Sequence, residues 1–246
     1  MHNETSREWD IRCDLAAAYR LIAHFGMDDL IYTHLSARLP GNERHFLINR
    51  YGMMFDEVTA SSLIVIDPNK HVIDEQERSK INNAGFTIHS AVHMNRDNAQ
   101  CVIHTHTLAG MAVAAQEHGL LPLNQMSIEF YGGIAYHDYE GVAFDLDERE
   151  RLAHDLGDKD LMILKHHGLL TVGCTVAEAF LNMYYMEQSC RIQVAAGQSG
   201  QKIALPSNDV IAHTVAQIKR TPFNKSPRPW AALKRRLDRI SPEYAT

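Results

Sequence analysis

Apolar positions recur at helical spacing from Arg7 to Phe25, with Ile11, Leu15, Tyr19 and Ile22 on one face and Gly26 as the stop. The pattern then changes to short alternating or β-branched runs over Ile31–Leu39, His45–Asn49, Leu63–Ile66 and His71–Asp74. Pro40-Gly41, Tyr51-Gly52 and Asp67-Pro68-Asn69 divide these runs, as expected of strands joined by tight turns. Asn82–Met94 and Leu108–Glu117 read as helices on either side of a buried strand, Cys101–His106. A charged helix is expected over Asp145–Leu156, an apolar strand over Leu161–Leu164, and a long helix over Val176–Ala196 with Gly197 beyond it. Alternating helices and short strands imply a layered α/β domain. After Pro206 a helix over Asn208–Arg220, a Pro-rich stretch Thr221–Trp230 and a basic helix Ala231–Ile240 suggest an appended arm.

The Cys101–His106 strand carries the first candidate chemistry. Successive side chains of a strand point to opposite faces, so His104 and His106 project together with Thr105 opposite. One strand can thus offer two imidazoles to a single ion. With 15 histidines in 246 residues, chance alone accounts for a single His-x-His, so the pair needs support. It comes from Lys165-His166-His167-Gly168, at the end of another apolar strand; ligands in open α/β sheets gather where strands end. His104, His106 and His167 would supply three imidazoles and leave coordination positions open, as a catalytic metal requires. His166 then faces the other way. His89 and His93, four apart on a helix, also match a metal-binding spacing, but lack the Glu of a His-Glu-x-x-His pattern and read better as buried structural histidines. The remaining histidines, His34 among them, read as structural or solvent-facing.

Composition narrows the setting. The chain is 45% hydrophobic and 22% charged, with a net charge of -6, which gives no surface suited to nucleic acid. No apolar run reaches the roughly 18 residues of a membrane span. The first residues lack the basic flank and apolar run of a secretory leader. The four cysteines, Cys13, Cys101, Cys174 and Cys190, stand far apart and read as reduced core residues, so a cytoplasmic setting is expected.

An ordered series of segments makes a resemblance specific. It runs through Thr33-His34-Leu35-Ser36-Ala37-Arg38, Phe46-Leu47-Ile48-Asn49-Arg50-Tyr51-Gly52, Glu57–Leu63, Asn83–Ala91, His104-Thr105-His106, Tyr136–Gly141 and His167-Gly168. From about Arg7 to Gln198 the chain resembles the class II aldolase/adducin family, in its adducin-like bacterial branch. The resemblance implies a three-layer α/β/α sandwich around a mixed, largely antiparallel sheet; with the change of character after Pro206, residues 1–206 are expected to form that domain and 207–246 a C-terminal helical arm. It implies a homotetramer with active sites between subunits. It also implies a divalent cation on His104, His106 and His167, zinc first, with manganese, iron or cobalt as alternatives. In such enzymes the ion polarises a carbonyl and stabilises the enediolate formed as a C–C bond breaks.

The departures shape the expected function. Sugar-phosphate aldolases of the family carry a catalytic Glu after paired serines, and the aligned positions here are Asn83, Ala84 and Gly85. Their Gly-Asn-x-Ser phosphate loop corresponds to Thr33-His34-Leu35-Ser36. A phosphorylated substrate and the usual proton relay are both disfavoured. The expected activity is a metal-dependent carbon–carbon lyase, a decarboxylase or aldolase, on a small non-phosphorylated oxo or hydroxy acid. The alternatives are a non-haem iron oxygenase on the same histidines and a non-catalytic adducin-like scaffold. Arg50, Gly52 and Arg38 are candidates for holding the substrate carboxylate, and Glu129 and Tyr131 for acid/base work.

Overall fold

A computed structural model describes residues 2–41, 44–69, 71–73, 81–142, 147–220, 222 and 225–246. Seven strands form one sheet: β1 (His34–Arg38), β2 (Phe46–Ile48), β3 (Ile64–Ile66), β4 (Cys101–Thr105), β5 (Ile134–His137), β6 (Leu161–Leu164) and β7 (Gly168–Gly173). Their spatial order is β3-β2-β1-β4-β7-β6-β5. Every neighbouring pair is antiparallel except β5 and β6, which run parallel.

Period-two alternation sorts the strand residues onto two faces. Leu35, Ala37, Cys101, Ile103, Ile163 and Leu169 enter one core cluster, shared with α1 (His2–His24), α3 (Leu108–Ala114) and α6 (Val176–Gln198). Val102, Met162, Leu164, Leu170 and Val172 enter another, covered by α2 (Asn83–Asn95) and α5 (Glu148–Leu156). Helices therefore cover both faces of a mixed sheet, the three-layer α/β/α arrangement that the sequence led us to expect.

Local chemistry fixes the element ends. Gly26 takes the left-handed φ of +61° that closes α1. The Thr107 hydroxyl accepts from Gly110 N at the start of α3, and the Thr175 hydroxyl accepts from Glu178 N at the start of α6. Two strands went unpredicted: four-residue β5, and β7, an apolar run enclosed by glycines. The short helix α4 (Gln125–Glu129) also went unpredicted; it is started by the Asn124 side chain accepting from Met126 N and Ser127 N. The expected strand at His71 reduces to a single bridge from Ile66 to Val72. Asp74, Asp145, Thr221, Phe223 and Asn224, which fall in expected elements, lie outside the described residues.

Beyond Pro206 come α7 (Asn208–Ile218), α8 (Pro227–Ile240) and a short 3-10 helix over Pro242–Ala245. Trp230 on α8 sits 5.6 Å from the Phe180 ring, and Leu237 and Tyr244 join the cluster around α1 and α6. Lys234 bridges to Asp14 at 2.8 Å, while Arg235, Arg236 and Arg239 form a solvated face. Cys101 and Cys190 are buried as expected, but Cys174 is exposed and Cys13 half-buried. None of the described helices is long and apolar enough to cross a membrane.

Candidate metal centre

The antiparallel pairing of β4 with β7 brings the two histidine-bearing segments together. His104 lies at the end of β4 and His106 just beyond it, while His167 ends the tight β6–β7 connection. Ligand atoms of His104, His106 and His167 all lie within 4.8 Å of one another, and the three ring centroids are 4.7–4.9 Å apart. The neighbouring His166 takes a left-handed φ of +56° and is exposed, so the turn presents His167 rather than His166. Gly168 makes the approach possible, because a Cβ there would stand 2.4 Å from the Thr105 carbonyl oxygen.

Hydrogen bonds fix where the imidazole protons sit. His104 Nδ1 donates to the Leu169 carbonyl at 2.9 Å, and His106 Nδ1 donates to Asp29 Oδ2 at 2.9 Å. In the neutral rings both Nε2 atoms are then bare lone pairs, and they face each other 3.1 Å apart. Burial and the two neighbouring imidazoles push the His104 pKa well below the usual range. His167 is lowered to about 4, chiefly by burial. Two donors at about 2.0–2.1 Å from one tetrahedral ion stand about 3.3 Å apart. The donor set thus fits a divalent cation, and the outer partners, a backbone carbonyl and a carboxylate, are those that orient metal-binding histidines.

The cluster opens into a cavity of about 540 Å³. Tyr32, Tyr51 and Tyr139 line it with Ile81, Ile88 and Val142, and none of its described lining residues is Lys, Arg, Asp or Glu. Thr33, His34 and Gly85 complete the wall nearest the sheet. Asp29, Tyr32 and Thr33 come from one strained loop that leads into β1 at His34, and in it Leu30 and Thr33 hold φ of +51° and +64°.

The signature of the "Class II Aldolase and Adducin N-terminal domain" matches residues 13–194. The chain belongs to that family. The solved structure of an aldolase II superfamily protein from Pseudomonas syringae is 49% identical, has a TM-score of 0.91, and covers 98% of this chain and 96% of that one. An L-fuculose 1-phosphate aldolase from Glaciozyma antarctica is 30% identical with a TM-score of 0.82, covering 97% of this chain and 92% of that one. Mouse alpha-adducin is 42% identical over 186 residues, which are 75% of this chain but 25% of the adducin.

Against this class II aldolase/adducin background, several expected site residues lie elsewhere. Arg38 extends from β1 to the C-terminal end of α2, where its guanidinium donates to the carbonyls of His93, Arg96 and Asp97. It does not line the cavity. Nor do Arg50 and Gly52, although Tyr51 between them does. Glu129 and Tyr131 sit at the end of α4, away from the cavity wall; Tyr131 faces a separate groove along α7. Burial of the Glu129 carboxyl raises its pKa from 4.5 to about 7. His89 and His93 are buried and share the Ser36 hydroxyl at 2.6 and 2.7 Å, which places them in a structural network. Sequence reasoning missed Asp29 and His34. The only prior sign of either was that His34 stands in the Thr33–Arg38 landmark.

Two outcomes follow. Removing the carboxylate in Asp29→Ala frees the His106 ring, and metal affinity should fall about 10–100-fold in competition with a chromophoric chelator; unchanged affinity would contradict the assigned role. For Glu129, a folded-state pKa above the unfolded one makes its contribution fully present below pH 4.5 and lost as pH rises towards 7. The Glu129→Gln variant should show a flatter stability profile over that window in urea titrations, and an identical profile would exclude a buried carboxyl.

Proposed function

We propose that the chain is a divalent-metal-dependent carbon–carbon lyase acting on a small, non-phosphorylated oxo or hydroxy acid. The observation that carries this reading is the pair of outward-held Nε2 atoms, with His167 beside them, at the wall of a cavity large enough for a small organic acid. A cation held there would act as a Lewis acid, drawing charge from a substrate oxygen as the C–C bond breaks. The protein's part is to orient the three imidazoles through Leu169 and Asp29, and to shield the reacting carbons with three tyrosine rings.

The reaction type follows from what lines the cavity. Gly85 stands where the family resemblance would put a carboxylate, and no Asp or Glu replaces it among the described lining residues. Decarboxylation, which generates its carbanion by the bond cleavage itself, suits such a site better than aldol cleavage by a carboxylate relay. The Glaciozyma relative is named for a sugar phosphate, but the cavity here shows no cationic side chain among its described residues to receive a phosphate. The substrate carboxylate would therefore bind through the metal. Zinc is the first candidate, before manganese, iron or cobalt. A homotetramer with sites between subunits belongs to the same reading, as does a cytoplasmic location. Leu108, 84% exposed two residues after His106, is apolar surface that such an interface would cover.

Protein purified without added metal should hold about one divalent ion per chain by elemental analysis, and His104→Ala should hold almost none. Chelation should abolish turnover of oxo and hydroxy acids, and zinc should restore it, with phosphorylated analogues the poorer substrates. Equal metal in both proteins would refute the site. Oxygen uptake with Fe(II) and no cleavage product would favour an oxygenase, and a rigid, metal-free protein would favour an adducin-like scaffold.

A further inference from the structure

His34 carries an imidazole with no assigned role. It is 2% exposed, both ring nitrogens lack a hydrogen-bond partner, and it lines the cavity beside the three-histidine cluster. An unsatisfied buried polar group is costly, so its persistence points to a partner that arrives with the ligand. The register of β1 on β4 sets His34 directly opposite His104, close to the metal position yet outside the three-donor group.

Two independent features mark this position. The first is Gly85, near the start of α2. A Cβ there would stand 2.2 Å from His34 Nδ1 and 2.5 Å from Cε1, so the imidazole occupies the space that any side chain at 85 would need. Glycine is costly inside a helix, and here its bareness makes the room. The second is Thr33, a β-branched residue at a φ of +64°, where such residues are true outliers. Its hydroxyl is also buried, without a partner, and on the same cavity wall.

We propose that the His34 imidazole, with the Thr33 hydroxyl beside it, forms a hydrogen-bonding subsite for a hydroxyl group of the substrate. The ligand class is then a compound that carries a free hydroxyl next to its metal-binding oxygens. This proposal rests on the metal-dependent reading above. A neutral imidazole offers one N–H donor and one lone pair, suited to a hydroxyl that both gives and accepts.

The test compares two metal-chelating probes on the zinc-loaded full chain by calorimetry: glycolohydroxamic acid, which has the extra hydroxyl, and acetohydroxamic acid, which lacks it. The wild type should bind the hydroxylated probe about tenfold more tightly. His34→Ala should lose that preference, with metal content and acetohydroxamate affinity unchanged. Gly85→Ala, which leaves every proposed metal ligand intact and improves helix propensity, should lose it too by displacing the ring. A preference absent from the wild type, or retained in either variant, would overturn the subsite alone. Failure of the metal-loaded wild type to bind either probe would overturn the metal reading and this proposal with it.

Discussion

Two imidazole nitrogens that face each other across 3.1 Å, each on a ring whose other nitrogen already donates its proton, need a positive charge between them, a proton or a cation. Both rings are held there from behind. The Leu169 carbonyl takes one Nδ1 proton and the Asp29 carboxylate takes the other, so neither ring can relieve the repulsion by changing tautomer without losing its bond. Much of the surrounding structure sets up this confrontation. Antiparallel β4 and β7 supply the close approach, Gly168 permits it, and the left-handed turn at His166 delivers the third ring.

The same wall shows how a family scaffold can change its chemistry by exchange of volume. Where a side chain at 85 would project, this chain has none, and the neighbouring strand sends an imidazole into the space. The described residues around the cavity are neutral groups, three tyrosines among them. Such a wall offers aromatic surface and few groups that could relay a proton. That is a reason to look for activity among hydroxy and oxo acids rather than among sugar phosphates.

What was legible in the sequence divides along physical lines. Periodicity located α2, β6 and α6 to within two residues and the C-terminal end of α1 to within one, because each carries a full apolar stripe or run, while α1 starts five residues before the expected Arg7. His104 on β4 and His106 just past its end followed from strand alternation, and His167 from its place beside a glycine at a strand end. The missed pieces lack such a signal. Asp29 is one of two adjacent acids in a loop with no repeat, and only the folded chain shows which of them reaches His106. His34 read as one scattered histidine of many, since its partner in packing, Gly85, lies 51 positions away. Arg38 and Arg50 were attractive because a carboxylate wants a cation, yet the carbonyl-rich end of α2 claims the first and the cavity wall omits the second. Residue type proposes chemistry; the register of the sheet decides which residues meet.

X-ray absorption at the metal edge of the protein loaded with one equivalent of zinc tests the central claim most directly. Three imidazole nitrogens at about 2.0–2.1 Å, with the remaining shell filled by solvent oxygen, is the predicted result. A shell built from sulfur, or from oxygen alone, would contradict it.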